Sequence, residues 1–163
     1  MSQKRDTDYL AVSTRIHAME NRMLTRERME RMIDAKDSGE AAKVLSECGY
    51  GELTQLTSAA LEELLADARR NTFRDMADSV PDRRLVEVFQ LKYDYHNAKV
   101  LIKAQAMGLD EARLLSQGGR YDPQRLREDF LRDDLRDWGE VFRQAVLRAR
   151  EVLSATGDPQ QAD

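Results

Sequence analysis

Apolar residues recur at every third or fourth position along most of the chain, which is the spacing of amphipathic α-helices. The first stripe consists of Tyr9, Val12, Ile16, Met19 and Met23, and after a change of phase it continues to residue 33. The pattern therefore predicts one helix over residues 7–33, about 40 Å long at 1.5 Å per residue. It also predicts a short helix over residues 41–48, a third from residue 58, a fourth between Pro81 and Gly108, and a final one that carries Trp138.

Helix-capping residues stand at the ends of these stripes. Side chains that accept a hydrogen bond from the first turn favour helix starts, and glycine favours helix ends. The starts are marked by Asp37, which begins a capping-box-like Asp37-Ser38-Gly39-Glu40, by Thr57 or Ser58, and by Asp122-Pro123; the ends are marked by Gly49, Gly108 and Gly157. Together with the stripes, these signals predict an all-α fold, a helical bundle of long antiparallel helices.

The predicted fourth helix combines an apolar composition with an unusual set of polar residues. It is apolar over most of its circumference, so we expect it in the centre of the bundle. It nevertheless carries Asp94, His96 and Asn97, and burying such groups without partners costs several kcal/mol. Asp94 and Asn97 are three residues apart and share one helix face. We therefore expect Asp94, His96 and Asn97 to form a structural polar network that fixes the register of the helix.

The final helix presents a large apolar face with few partners nearby in the sequence. Trp138, Val141, Phe142 and Val152 belong to this face, and we expect them to be exposed for contact with a partner. A break at Gly118-Gly119 suggests two domains, residues 1–117 and residues 118–163, with the second one incomplete. On this interpretation the chain is a piece of a longer protein, and the isolated chain self-associates through the unpartnered face.

Composition excludes several classes of function. Charged residues make up 34% and hydrophobic residues 41% of the 163 residues, which is typical of a soluble helical protein. The net charge of −4 argues against nucleic-acid binding, and no stretch is apolar enough to span a membrane. Cys48 is the only cysteine, so a reducing compartment is the simplest setting. Two histidines and the absence of nucleotide-binding loops leave no support for a metal site or a cofactor.

Four segments, in this order, resemble the C subunit of V-type and A-type rotary ATPases and ATP synthases, called the d subunit in eukaryotes. They are residues 9–20 (YLAVSTRIHAME), residues 35–45 followed by Gly49-Tyr50, residues 91–99 (LKYDYHNAK) and residues 156–163 (TGDPQQAD). Members of this family are about twice as long as this chain, and three similar helical domains form a funnel. The resemblance implies that this chain holds the first domain and the opening of the second.

The resemblance also implies a mechanical function. The family's protein is a non-catalytic part of the central rotor, without a cofactor, that links the membrane ion-translocating ring to the central shaft. It couples ATP hydrolysis or synthesis to proton or sodium transport. The implied location is cytoplasmic and peripheral to the membrane, through contact with the rotor ring.

Two other functions stay open at this point. The chain could be a free-standing cytosolic helical module that binds an amphipathic helix of a soluble partner. An enzyme that uses Asp94 and His96 as an acid–base pair is disfavoured, because residues two positions apart on a helix point about 200° away from each other. No other catalytic residues are apparent in the sequence.

Overall fold

The computed structural model describes residues 5–53 and 57–163, and within these ranges the chain is all-α with no strand. This confirms the predicted fold class. The seven α-helices of the described residues are α1 (Leu10–Glu20), α2 (Arg26–Ile33), α3 (Ser38–Glu47), α4 (Ser58–Ser79), α5 (Arg84–Met107), α6 (Pro123–Leu131) and α7 (Glu140–Thr156). The same part of the chain has four short 3-10 helices, over Asp6–Tyr9, Ala112–Leu114, Arg136–Trp138 and Pro159–Ala162. No helix in the described ranges has the length and apolarity that crossing a membrane requires.

The chain divides into two compact units, Met1–Val86 and Glu87–Asp163. The division therefore falls near the start of α5, whereas the sequence suggested a boundary between residues 117 and 118. The physical reason is that the segment after α5 folds back along that helix and is hydrogen-bonded to it. The Gly118-Gly119 break is thus an internal turn of the second unit.

The prediction of one continuous helix over residues 7–33 is wrong, because α1 ends at Glu20 and α2 begins at Arg26. The side chain of Thr25 caps the new start by accepting a hydrogen bond from the Arg28 backbone N–H (3.3 Å). The Arg28 guanidinium donates to the carbonyl oxygen of Met23 (2.6 Å), and thereby satisfies part of the broken turn. The change of phase in the apolar stripe was the sequence signal of this break.

The other helix starts follow the predicted caps. Asp37 Oδ1 accepts from the Glu40 N–H (2.8 Å), Thr57 Oγ1 from the Ala60 N–H (3.1 Å) and Asp122 Oδ1 from the Arg125 N–H (2.9 Å). The capping box at α3 differs from the standard one in the bond that Glu40 accepts, which comes from one residue earlier in the chain. There the Glu40 carboxylate accepts from the Lys36 N–H instead of that of Asp37 (2.9 Å).

The second unit has its own apolar core, formed by α5, α6, α7 and the final 3-10 helix. Its buried members are Ala98, Leu101, Ile102, Leu126, Phe130, Leu135, Trp138, Phe142, Val146, Leu153 and Ala162. Its aromatic members pack closely, since the Tyr95 and Phe142 rings meet edge to face with centroids 5.0 Å apart. Because α7 contributes Phe142, Val146 and Leu153 to this core, its apolar face is covered within the second unit.

This core corrects the prediction of an exposed apolar partner face. Trp138 is 2% exposed and Phe142 is 3% exposed, so neither can contact a partner. Val152 is partly buried, and only Val141 of the four predicted residues is well exposed, at 79%. The prediction failed because the residues of α5 that share this core lie far earlier in the chain.

The placement of α5 also differs from the expectation of a fully enclosed helix. Ala98, Leu101 and Ile102 are buried, whereas Val88 and Phe89 are 62% and 66% exposed. One side of α5 therefore faces the core and the opposite side is accessible. Apolar residues occur on both of these sides, which is why the sequence of α5 is apolar around most of the helix.

Candidate functional site

A 14-residue segment, which we call the strap (residues 109–122), connects α5 to α6 and contains only one short 3-10 helix. Three of its attachments to α5 come from one face of that helix, and His96 adds another from a different side. Gln90, Asp94 and Asn97 are separated by four and three residues, so they form a polar row along α5. Each of them bonds to the backbone of the strap.

Asp94 is the centre of this fastening and is fully buried. Its Oδ1 accepts from the backbone N–H groups of Arg120 (2.8 Å) and Tyr121 (3.3 Å). Its Oδ2 accepts from Nε of the Arg120 side chain (2.6 Å). One carboxylate thus meets three donors, which offsets the cost of burying its charge.

Asn97 bonds to both backbone groups of a single strap residue. Its Oδ1 accepts from the Ser116 N–H (2.7 Å), and its Nδ2 donates to the Ser116 carbonyl oxygen (2.8 Å). The side-chain amide therefore pairs with Ser116 as a neighbouring β-strand would. Gln90 adds a third attachment, in which Nε2 donates to the Gly119 carbonyl oxygen (3.1 Å).

Gly119 permits the close approach of the strap to α5. A β-carbon at this position would overlap Asp94 Oδ1, and it would lie 3.3 Å from Asp94 Cγ and 3.4 Å from the Asp94 backbone nitrogen. The requirement for glycine is thus steric. Any side chain here would displace the carboxylate from its donors.

His96 lies apart from this row and is exposed. Its Nε2 donates to the carbonyl oxygen of Leu114 (3.0 Å), a bond that fixes the proton on Nε2. The structure thus places two of the three predicted residues, Asp94 and Asn97, on one buried row, and it places His96 on another side of the helix.

Sequence reasoning missed the residues that complete the fastening. These are Gln90, Ser116, Gly119 and Arg120. Gln90 could have been found from its spacing to Asp94, since residues four apart share a helix face. The strap residues carried no such signal, because their partners lie 19 to 29 positions earlier in the chain.

The fastening continues into the aromatic core through Tyr121. Its hydroxyl donates to the Trp138 carbonyl oxygen (2.6 Å), and its ring stacks on Phe142 with centroids 5.5 Å apart. Burial raises the pKa of the Tyr121 hydroxyl above its ordinary value. The strap is thus held on one side by polar bonds from α5 and on the other by the core around α7.

Electrostatics favour the charged form of Arg120. Burial lowers the pKa of its guanidinium, but the hydrogen bond to Asp94 and the charge of that carboxylate outweigh burial, so the pKa is raised. The guanidinium also lies over the Tyr121 ring, 5.1 Å from its centroid. The Asp94 carboxylate thus holds the strap against α5 through all of these donors.

No group of three or more histidine, cysteine or acidic residues that could hold a metal ion occurs in residues 5–53 and 57–163. Several acidic residues of the second unit are instead paired with arginines. Examples are Glu111 with Arg127 (2.5 Å) and Asp137 with Arg125 (2.6 Å).

Comparison with known proteins agrees with the resemblance found in the sequence. Residues 12–163 match the family model of the ATP synthase (C/AC39) subunit, which covers nearly the whole chain. The chain belongs to this family, and the family predicted from the four segments is confirmed. Together with the all-α fold, this defines the class of protein as a C-type component of the V-type ATPase family.

A curated relative, to which this chain is similar, is the C subunit of the V-type sodium ATPase of Enterococcus hirae. The two are 23% identical over 159 residues, and the alignment covers 90% of this chain and 48% of the relative. The chain thus spans about half the length of that protein. No solved structure matches the chain.

Proposed function

We propose that this chain forms part of a non-catalytic central rotor subunit of a V/A-type ATPase or ATP synthase. In this role it links the membrane ion-translocating ring to the central shaft, and it couples ATP hydrolysis or synthesis to proton or sodium transport. Its place in the cell is cytoplasmic and peripheral to the membrane, by contact with the rotor ring. Membership of the C/AC39 family is the observation that carries the proposal.

The fastening of the strap supports a mechanical role. A linker that transmits torque must resist deformation, and irregular segments are normally the parts of a protein that move most readily. Here Asp94 and Asn97 together bond to four backbone groups of the strap. These bonds hold the strap against α5 at Ser116, Arg120 and Tyr121, which supports a body of α5, the strap and α6 that resists deformation.

The three-domain funnel is also part of this proposal. The chain spans about half of its curated relative, which leaves room for further helical domains in the whole protein. The predicted self-association through Trp138 and Phe142 is not retained, because both side chains are buried in the core of the second unit.

Purification of the natural gene product tests the rotor role. The gene is tagged in its source organism, the product is isolated from detergent-solubilised membranes, and the accompanying proteins are identified by mass spectrometry. An untagged strain and a tagged cytosolic enzyme of similar size serve as controls. Shaft and ring proteins should accompany the product in stoichiometric amounts.

The opposite outcome would replace the proposal. A product that is absent from membranes and pairs with a soluble protein would contradict a rotor role. It would favour the free-standing helical module that binds an amphipathic helix.

A further inference from the structure

The accessible side of α5 carries a regular row of residues, which we call the α5 seam (Phe89, Lys92, His96, Lys99 and Lys103). Its members are separated by three, four, three and four residues. At 100° per residue they lie within about 80° of the helix circumference, and they extend for about 21 Å along the axis. The seam is opposite to the row of Gln90, Asp94 and Asn97 that holds the strap.

The seam is accessible along its length. Phe89 is 66% exposed, and Lys92 and His96 are exposed. The side chains of Lys99 and Lys103 are 42% and 29% exposed. An exposed phenylalanine at one end of a basic row is an uncommon surface feature, since large aromatic side chains are usually buried.

The charge of the seam contrasts with that of the whole protein. The chain has a net charge of −4, yet three of its six lysines lie within 12 residues of α5. Between residues 88 and 103 the only acidic residue is Asp94, which is fully buried on the opposite side of the helix. The outward side of α5 is therefore basic.

A carboxylate of the chain itself already pairs with this surface. The carboxylate of Asp163 lies between two seam lysines, 2.8 Å from Lys103 Nζ and 3.4 Å from Lys99 Nζ. These lysines lower the pKa of the Asp163 carboxyl. The Asp163 contact is with Lys99 and Lys103, whereas Lys92 and Phe89 lie further along the helix towards its start.

From this geometry we infer that the α5 seam is the docking face for an acidic amphipathic helix of a partner protein. The alternation of three and four residues is the repeat by which one helix packs along another. The partner's apolar side chain would pack on Phe89, one of its carboxylates would face Lys92, and another would compete with Asp163 for Lys99. A nucleic acid fits less well, because three lysines on a chain of net negative charge give little counterion release.

The inference does not depend on the rotor role, and a titration tests it directly. The ¹⁵N-labelled full chain is titrated with a synthetic 21-residue helical peptide that presents leucine and glutamate at heptad spacing. A second peptide carries glutamine in place of each glutamate. The acidic peptide should shift the amide resonances of residues 88–103, and the glutamine peptide should bind at least about tenfold more weakly.

Matched charge reversals locate the binding. Lys92→Glu combined with Lys99→Glu should weaken binding of the acidic peptide by at least about tenfold. The control is Lys36→Glu with Lys43→Glu, which makes the same change of charge at exposed positions in the first unit and should leave the affinity within about twofold. Equal affinity of the two double variants, or shifts confined to other helices, would overturn the inference.

Photo-crosslinking in the native full-length protein tests the natural occupant. A benzophenone amino acid replaces Phe89 in one strain and Val141, which is 79% exposed, in another. Position 89 should crosslink to one acidic helical segment that position 141 does not reach. Crosslinks to lipid, or the same products from both positions, would contradict the inference.

The outcomes separate the two proposals. A crosslink to an acidic helix of a protein that is neither a shaft nor a ring component, with no shaft or ring protein recovered, would support the seam and contradict the rotor role. Recovery of ring and shaft proteins without any crosslink at position 89 would support the rotor role and contradict the seam.

Discussion

The carboxylate of Asp94 occupies the space that a β-carbon on residue 119 would need, so Gly119 and Asp94 depend on each other sterically. Replacement of Gly119 by alanine should therefore destabilise the protein by about 2–3 kcal/mol, as expected when extra atoms are forced into a closely packed site. Denaturant unfolding of the variant measures this cost. A loss below about 0.5 kcal/mol would show that the strap lies further from α5.

A double-mutant cycle isolates the contact between these two residues. Asp94→Ala removes the carboxylate atoms that a methyl group at position 119 would overlap, so the cost of Gly119→Ala should be much smaller in that background. We expect a coupling free energy of at least about 1 kcal/mol between the two sites. Strictly additive costs would mean that Gly119 acts without contact with Asp94.

Asp94 itself should contribute strongly to stability. Asp94→Ala leaves two backbone N–H groups and the Arg120 guanidinium without their acceptor, and we expect a loss of at least about 2 kcal/mol in the free energy of unfolding. Glu151→Ala, which removes an exposed ion pair with Arg148, is the control and should cost under about 0.5 kcal/mol. Similar midpoints for the two variants would indicate that Asp94 is solvated.

The Asp134 carboxyl gives a prediction about pH. Its hydrogen bond to Arg136 lowers its pKa from 3.8 to about 2. Because the folded-state pKa is depressed, the stabilising effect is fully present above pH 3.8 and is lost as the pH falls through about 2. A carbon-detected NMR titration of Asp134 should show the low pKa, and Arg136→Gln should return it towards 3.8. A wild-type pKa near the ordinary value would contradict this pairing.

The environment of Trp138 can be measured directly, since it is the only tryptophan. With 2% of its surface exposed, it should emit at shorter wavelength than free tryptophan, and acrylamide should quench it slowly. Trp138→Ala should cost about 3–5 kcal/mol. Emission and quenching like those of free tryptophan would contradict the burial of Trp138 and would support the exposed face that the sequence suggested.

Local signals explain what could be predicted from the sequence. The cap residues Asp37, Thr57 and Asp122 act within three residues of themselves, so their function is readable from neighbouring positions. The existence of α5 follows in the same way from its apolar content and its ends. Burial of Asp94 and Asn97 was also expected, because both are polar residues within an apolar helix.

Long-range pairing explains what was missed. The donors to Asp94 come from residues 26 and 27 positions later, and sequence spacing cannot identify them. Trp138 and Phe142 were expected to be exposed because their core partners on α5 are also remote in the sequence. The break after Glu20 is a different case: the change of phase in the apolar stripe signalled it, and Arg28 supplies part of the hydrogen bonding that the broken turn lacks.

Hydrogen exchange of the strap tests most directly whether α5 and the strap form one stiff body. The amides of Ser116, Arg120 and Tyr121 are followed in the wild-type chain and in Asp94→Ala, with the core amide of Leu101 as reference. The wild-type strap amides should exchange about as slowly as Leu101, and Asp94→Ala should accelerate Arg120 and Tyr121 selectively. Rapid exchange of the wild-type strap, at the rate of an unprotected loop, would contradict a rigid fastening and remove the structural support for a torque-bearing role.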